Sequence, residues 1–446
     1  MHSFDRRGNP VSYGNRQAVE ALDSACELLH AYQADPLAEV DQLIARHPDF
    51  VMAHVFRAGA LATATDKAFE PELVKSVMAA EALASKANHR EQLHIAAVRG
   101  WLDGDWSRAV ESWGRASIGY PRDLLALQFA HVGDFFLGHT HLLRDRVARV
   151  LPHWGREVPG HGFVQGMYAF GLEETGDYEQ AEARGREAAA LNPQDGWAVH
   201  AVAHVMEMQG RAAEGAAFLG ASAEGWEPNS LFAFHIWWHR ALFDLDAGDA
   251  PAALRLFDEK IAAAGLGQAL ELVDGSALLW RLWLLKHDVG ARWQVLADKW
   301  QTRIDDAYYA FNDVHAMMAF VGTGDTDAQQ RLLAALARAA AGRGTAAMTS
   351  REIGLPACEG LAAFGRGQYA QAIDRLLPLR ATANRFGGSH AQRDMFSWTL
   401  TEAALRLGDR RLAEAFVAER LSWKPQSPVN RDWAMRARPL MPAVAT

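Results

Sequence analysis

Gly176-Asp-Tyr-Glu-Gln-Ala181, with Ala188 and Pro193 further on, is the stretch of sequence that decides the fold. Glycine adopts the backbone conformation of a tight turn between two helices without steric cost. Alanine lets the second helix approach its neighbours closely, and proline ends that helix. The stretch therefore predicts a pair of antiparallel helices joined at Gly176.

The same spacing recurs along the chain. Gly104 is followed by Ala109, Ala116 and Pro121, and Gly210 comes 34 residues after Gly176, which is the tetratricopeptide period. A small residue is expected seven places before each turn glycine, where two helices cross. That place holds Ala97, Ala169, Ala203, Ala241 and Gly360. The sequence predicts an all-α protein, a right-handed α-solenoid of irregular tetratricopeptide-like helix pairs.

The predicted organisation has three parts. Residues 1–16 are an N-terminal arm, 17–425 a continuous solenoid, and 426–446 a C-terminal cap and tail. Between residues 17 and 85 we expect two helix pairs, broken at Asp35-Pro36 and His47-Pro48.

The composition of the chain argues against some classes of function. Half of the 446 residues are hydrophobic and the net charge is −9, without a basic stripe, so nucleic acid is not an expected partner. No apolar run approaches the roughly 20 residues of a membrane span, and the N-terminus lacks the apolar stretch of a signal peptide. The two cysteines lie far apart and suit a reducing compartment. We expect a cytoplasmic protein without a membrane segment.

A polar stripe interrupts an apolar helix between residues 197 and 207. His200 and His204 lie one turn apart, and Glu207 follows on the same face. Counted from the turn glycine, these three residues and Trp197 take positions that line the concave surface of a tetratricopeptide array. His-x3-His is a spacing at which both rings can reach one metal ion, with Glu207 as a further ligand. The alternative is that these histidines cap helices or pack between them.

Other polar and aromatic residues are predicted to face the same surface. His235 and Trp238 take such positions in the following helix pair, as His94 does in an earlier one. Asp313 and His315 come at the start of a predicted helix, where an N-cap made by Asn312 or Asp313 is the competing interpretation. His390 and Arg393 open a helix after Gly387-Gly388, where the residues either bind an anion or cap the helix.

Three segments together resemble the tetratricopeptide repeat protein 38 family. They are Trp197–Arg211, Phe311–His315 and Ser389–Asp394. The resemblance covers almost the full length and implies a cytosolic, all-helical repeat protein. It implies no activity common to the family and no catalytic residues.

Two functional hypotheses follow. In the first, an internal site binds and transforms a small polar molecule, by metal-assisted or acid–base chemistry such as hydrolysis, with a divalent metal as cofactor. Its catalytic residues would be His200, His204, Glu207, His235, Asp313 and His315. Its substrate-binding residues would be Trp197, Trp238, His94, His390 and Arg393. Its metal ligands would be His200, His204 and Glu207. In the second, the concave face is a non-catalytic scaffold that binds a peptide or partner protein. A homo-oligomer is compatible with both.

Overall fold

The computed structural model describes residues 3–439, which are almost entirely helical. A short antiparallel hairpin precedes the helices, in which β1 (Ser3–Phe4) pairs with β2 (Pro10–Val11). The chain forms two compact units. Unit 1 comprises Met1–Val202 and Ser222–Ala233, and unit 2 comprises Ala203–Ala221 and Phe234–Thr446.

Unit 1 is a succession of helix pairs. Its helices are α1 (Arg16–Ala31), α2 (Pro36–Arg46), α3 (Val51–Thr63), α4 (Glu70–Ala82), α5 (His89–Leu102), α6 (Trp106–Gly119), α7 (Leu124–Leu137), α8 (Thr140–Val150), α9 (His161–Glu174) and α10 (Tyr178–Leu191). Short 3-10 helices lie at Lys67–Phe69, Ala84–Lys86 and Leu151–His153. The division between the units runs through the next two helices, α11 (Gly196–Met208) and α12 (Ala212–Trp226).

Unit 2 continues the all-α pattern less regularly. Its helices are α13 (Ala233–Asp246), α14 (Ala250–Leu256), α15 (Ala269–Leu284), α16 (Arg292–Gln301), α17 (Ala310–Thr323), α18 (Thr326–Ala340), α19 (Thr345–Thr349), α20 (Leu355–Gly365), α21 (Tyr369–Leu376), α22 (His390–Arg393), α23 (Met395–Leu407), α24 (Arg410–Trp423) and α25 (Pro428–Ala437). π-helical turns at Phe257–Ile261 and Ser350–Gly354, and 3-10 turns at Ala262–Ala264, Leu377–Ala381 and Ala383–Phe386, extend some of these helices.

The predicted turn chemistry is present in the pair α9 and α10. Gly176 has a φ of 85°, a conformation that costs glycine little and other residues more. Ala181 and Ala188 of α10 are completely buried. At Gly104 the aspartate that follows the glycine acts as the N-cap of α6, because the Asp105 side chain accepts from the backbone N–H of Arg108 at 3.0 Å. One short sequence thus ends a helix and begins the next.

The small residues expected at helix crossings are confirmed. Ala97, Ala169, Ala203 and Ala241 have no exposed surface. At Gly360 an added Cβ would lie 2.6 Å from Cγ of Leu376, so no side chain fits there without movement of α21. The all-α fold class predicted from the sequence is therefore correct.

Both terminal segments contain regular secondary structure. Residues 3–11 of the predicted arm form the β1–β2 hairpin, and α25 occupies much of the predicted C-terminal cap. The predicted tail from residue 440 to 446 lies outside the described residues. The breaks at Asp35-Pro36 and His47-Pro48 separate α1, α2 and α3 as expected. Within residues 3–439, none of the helices combines the length and apolar character that crossing a bilayer demands.

Stability should be sensitive to side-chain volume at the positions where helices cross. Ala181→Leu should lower the free energy of unfolding by about 1–3 kcal/mol, because a larger side chain in a closed helix contact forces strain on its neighbours. Ala183→Leu, on the exposed face of the same helix, should change it by no more than about 0.5 kcal/mol. Urea unfolding followed by circular dichroism measures both. Equal effects of the two substitutions would contradict the close-contact role of Ala181.

Candidate functional site

The polar stripe of α11 is buried. His200, His204 and Glu207 are 3%, 0% and 7% exposed, so they do not form the open wall of a groove. The helix begins at a capped end, where Asp195 Oδ1 accepts from the backbone N–H of Ala198 at 3.0 Å. Its remaining residues are mainly Ala, Val and Met, which pack closely on every side. Polar groups on such a helix need partners inside the protein.

Three histidines of unit 2 come together on α11 and α13. The rings of His204 and His239 have centroids 4.4 Å apart, and those of His235 and His239 lie 5.0 Å apart and nearly perpendicular. One ring nitrogen from each of these three residues lies within 4.8 Å of the others. All three are buried. We refer to His204, His235 and His239 as the histidine cluster.

A carboxylate on α15 orients one member of the cluster. Nδ1 of His235 lies 2.7 Å from Oδ2 of Asp274, whose side chain is completely buried. An ionised carboxylate can only accept, so Nδ1 carries the proton in this contact. Burial raises the pKa of Asp274, and the neighbouring His235 opposes that rise. The contact orients the His235 ring.

The other two histidines are neutral. Burial lowers the pKa of His204 well below its ordinary value, and the charges of His235, His390 and Arg393 lower it further. Burial acts in the same direction on the pKa of His239, together with the nearby His204, His235, Arg281 and Lys424. A neutral imidazole has a nitrogen lone pair available for a metal or a proton.

Glu207 has a partner that the sequence prediction did not include. Nζ of Lys424 donates to Glu207 Oε1 at 2.5 Å and to Asp246 Oδ2 at 3.3 Å. Oγ of Ser427 also donates to Asp246, at 2.5 Å. The Glu207 carboxylate is thus engaged in a buried ion pair, in place of the metal contact expected for it.

A buried arginine that sequence reasoning missed lies in unit 2. Arg281 is 2% exposed, and its guanidinium donates to the carbonyl oxygens of Ala277 and Ala391 at 2.9 and 2.6 Å. It lies over the rings of Trp238 and Trp398, at 5.6 and 5.8 Å from their centroids. Burial lowers its pKa to about 10. The signal was available, since Arg281 is the only charged residue between Leu278 and Leu285.

Trp238 is completely buried. Its ring stacks on His235 with centroids 5.3 Å apart. Together with its contact to Arg281, this gives the predicted substrate-binding residue a packing role beside the histidine cluster.

Asp313 and His315 lie on α17 and are buried. The ring of His315 donates from Nδ1 to the carbonyl oxygen of Phe311 at 2.7 Å, and burial lowers its pKa to about 4. The carbonyl oxygen of Asp313 accepts from Sγ of Cys358. The N-cap of the helix is Tyr309, so the interpretation of Asn312 or Asp313 as the cap was wrong.

The segment at His390 and Arg393 forms a helix cap. The Ser389 hydroxyl accepts from the backbone N–H of Gln392, and the Gln392 side chain accepts in return from the backbone N–H of Ser389, which is a capping box. Arg393 donates to the carbonyl oxygen of Gly388. The capping interpretation of this stretch is confirmed.

His94 belongs to unit 1, where it forms a buried ionic cluster. Its Nε2 lies 2.9 Å from Oδ2 of Asp123, which also accepts from Nε of Arg90 at 2.6 Å. Burial alone would raise the pKa of Asp123, but Arg90 and His94 hold it well below its ordinary range. His94 is therefore part of a structural ionic cluster. Trp197, also in unit 1, packs against Tyr32 with ring centroids 5.7 Å apart.

Comparison with known proteins adds little about the site. No protein-family profile matches the chain. A solved structure titled as an IFIT1 monomeric mutant with Gppp-AAAA shares 13% identity, covers 96% of this chain and 100% of its own, and has a TM-score of 0.39. A second IFIT1 monomeric mutant, with m7Gppp-AAAA, has the same identity and coverage and a TM-score of 0.37. Likeness at this level supports no statement about ligands.

The cluster at His94 predicts the effect of removing one charge. Asp123→Asn should lower the free energy of unfolding at pH 7 by about 3 kcal/mol, because the buried Arg90 loses its close charge partner and keeps only the more distant Asp5, at 3.7 Å. Asparagine still caps a helix, so the cap that Asp123 supplies to Ala126 is kept. Because the folded-state pKa of Asp123 is depressed, the difference from wild type should shrink as the pH falls below about 4.

Asp105→Asn is the matched control, since Asp105 is an exposed N-cap aspartate. We expect it to leave stability nearly unchanged. Urea unfolding at several pH values measures both variants, and equal effects would show that the ionic cluster at Asp123 does not stabilise the fold.

Proposed function

We propose that this protein is a metal-binding helical-repeat protein, which holds one divalent transition metal ion at the histidine cluster. The observation that carries the proposal is the convergence of three imidazoles from α11 and α13, one of them oriented by the buried Asp274. Zn²⁺ is the ion that best suits such a set. In this proposal the protein is a cytoplasmic member of the tetratricopeptide repeat protein 38 family, consistent with two buried free cysteines.

The spacing of the nitrogen atoms supports this assignment. Zn–N bonds of about 2.0–2.1 Å in tetrahedral geometry place ligand nitrogens about 3.3 Å apart. The three nitrogens lie within 4.8 Å of one another, which is close to that spacing.

The surroundings supply what a metal ligand requires. Metal-bound histidines usually donate their second ring N–H to a carboxylate or carbonyl, which raises their basicity and fixes their orientation. Asp274 does this for His235. The depressed pKa values of His204 and His239 keep those rings in the neutral form that ligates, without competition from protons near neutral pH.

The fourth coordination position decides what the metal would do. If a fourth protein ligand completes the set, the site is closed and structural. If it does not, a water or substrate takes the fourth position, and the ion can activate a small polar molecule for hydrolysis as a Lewis acid.

Metal titration tests the proposal. Purified protein stripped with chelator should take up about one equivalent of Co²⁺, with the visible absorption bands of a four-coordinate site, and Zn²⁺ should displace it. His239→Leu should abolish that uptake, since leucine fills the space of the ring without a ligand atom. Wild-type protein that takes up no metal would overturn the proposal.

His287→Ala is the matched control, because His287 lies on the surface of unit 2. It should bind Co²⁺ like the wild type. Circular dichroism and thermal unfolding show whether His239→Leu is folded, and a folded His239→Leu variant with wild-type uptake would place the metal elsewhere.

One further variant tests the residue behind the ligand. Asp274→Asn should weaken Zn²⁺ binding by about 10- to 100-fold while leaving one equivalent bound at saturation, as expected for a residue that orients a ligand. Unaltered affinity in Asp274→Asn would contradict the orienting role of Asp274.

A further inference from the structure

A small pocket in unit 1 shares no lining residue with the histidine cluster. It is lined by His30 of α1, Tyr32, Gln128 and His131 of α7, Phe163 of α9, and Asp195 and Trp197 at the start of α11. The free space in it is about 10 Å³. That is room for about one water-sized group.

The feature that needs explanation in this pocket is the carboxylate of Asp195, which is 1% exposed. Its Oδ1 caps α11 by accepting from Ala198, but its Oδ2 has no hydrogen-bond partner among residues 3–439. A buried anionic oxygen without a partner is costly. Polar atoms of this kind commonly mark a place where a ligand or ordered water binds.

Two other buried aspartates of unit 1 are neutralised by arginine. Asp123 pairs with Arg90, and Asp134 accepts from Arg146 at 2.5 Å. Within the described part of the chain, neither Lys nor Arg forms an ion pair with Asp195. Asp195 is therefore a buried carboxylate that lines a pocket without a cation of the protein's own beside it.

The walls of the pocket suit a cation. The rings of Tyr32 and Trp197 are nearly parallel with centroids 5.7 Å apart, and Phe232 lies 5.0 Å from Tyr32. The negative faces of aromatic rings attract cations. His30 adds a hydrogen-bond acceptor, because its Nδ1 contacts Oε1 of Gln128, which leaves the lone pair on Nε2. Burial lowers the pKa values of His30 and His131 to about 3, so neither ring repels a positive charge.

We infer that this pocket binds the primary ammonium group of a small amine, with Asp195 Oδ2 and His30 Nε2 accepting from its N–H groups and the rings of Tyr32 and Trp197 beside it. A primary ammonium group is about as large as water and offers three donors. A tetramethylammonium ion offers no donor and is too bulky for the space. The apolar side chains of Phe163 and Met167 provide a surface for an alkyl chain next to the ammonium group. This inference does not rest on the metal proposed in unit 2.

Calorimetric titration with n-butylammonium chloride tests the inference. Wild-type protein at pH 8 should show saturable binding, whereas 1-butanol, potassium chloride and tetramethylammonium chloride should not. Equal binding of tetramethylammonium would mean a general cation site, and equal binding of potassium an inorganic ion site. If butylammonium does not bind saturably, the pocket holds only water. Each of these three results would overturn the inference.

Asp195→Asn removes the charge and keeps the helix cap, since asparagine also caps. Binding of n-butylammonium should fall by at least about tenfold in this variant. Asp105→Asn, which alters an exposed N-cap aspartate, should bind like the wild type. Wild-type affinity in Asp195→Asn would contradict the role of the carboxylate.

The pH dependence gives an independent readout. Burial raises the pKa of Asp195 to about 7, so the carboxylate is mostly neutral at pH 6 and mostly ionised at pH 8. The other titratable groups that line the pocket keep one charge state over this range, because the histidine pKa values are about 3 and burial raises that of Tyr32. Butylammonium should bind about tenfold more weakly at pH 6 than at pH 8, and Asp195→Asn should lose this dependence.

The raised pKa of Asp195 also predicts how Asp195→Asn affects stability, which serves as a control for folding. Because the folded-state pKa of Asp195 is raised, its contribution to stability falls as the pH rises from about 4 to about 7. Asp195→Asn should therefore unfold at pH 8 at a temperature no lower than the wild type. His239→Leu should still bind butylammonium, which separates failure of this inference from failure of the metal proposal.

Discussion

Close approach of helices at alanine and glycine is the constraint on which the rest of this structure depends. Ala169 and Ala203 are completely buried, and at Gly360 there is no space for a Cβ without displacing Leu376. Because the helices pack this closely, several helices of each unit are surrounded by other helices. Any polar side chain on an enclosed helix must then be satisfied by another part of the protein or by a ligand.

Most enclosed charges are satisfied by an opposite charge. Asp123 is held by Arg90 and His94, and Glu207 by Lys424. On α23, Glu402 accepts from Trp433 and Arg436. Such pairs are weak evidence for net stability but strong evidence that removing one partner is destabilising. They account for Glu207 and His94, two of the polar residues that the repeat register had suggested as site residues.

Two buried sites are not neutralised by an ion pair of this kind, and each of them leads to one of the two proposals. In unit 2, three imidazoles converge and the carboxylate of Asp274 contacts one of them, a set that suits a metal ion. In unit 1, the carboxylate of Asp195 has no protein cation beside it and faces a pocket with aromatic walls. In each case the proposed ligand supplies the charge that the surrounding residues lack.

The sequence alone determined the helix pairs, their turn glycines and the small residues at their crossings, because these depend on spacing within about 20 residues. It also identified His200, His204 and His235 as a group of interest, because His200 and His204 lie one turn apart on one helix face and the repeat register predicts the same surface for His235. Only the tertiary structure decided which polar groups meet. Lys424 is 217 residues from Glu207, and Asp274 is 39 residues from His235. No local pattern encodes such contacts, since they arise when separate helices pack and bury charges that must then be neutralised.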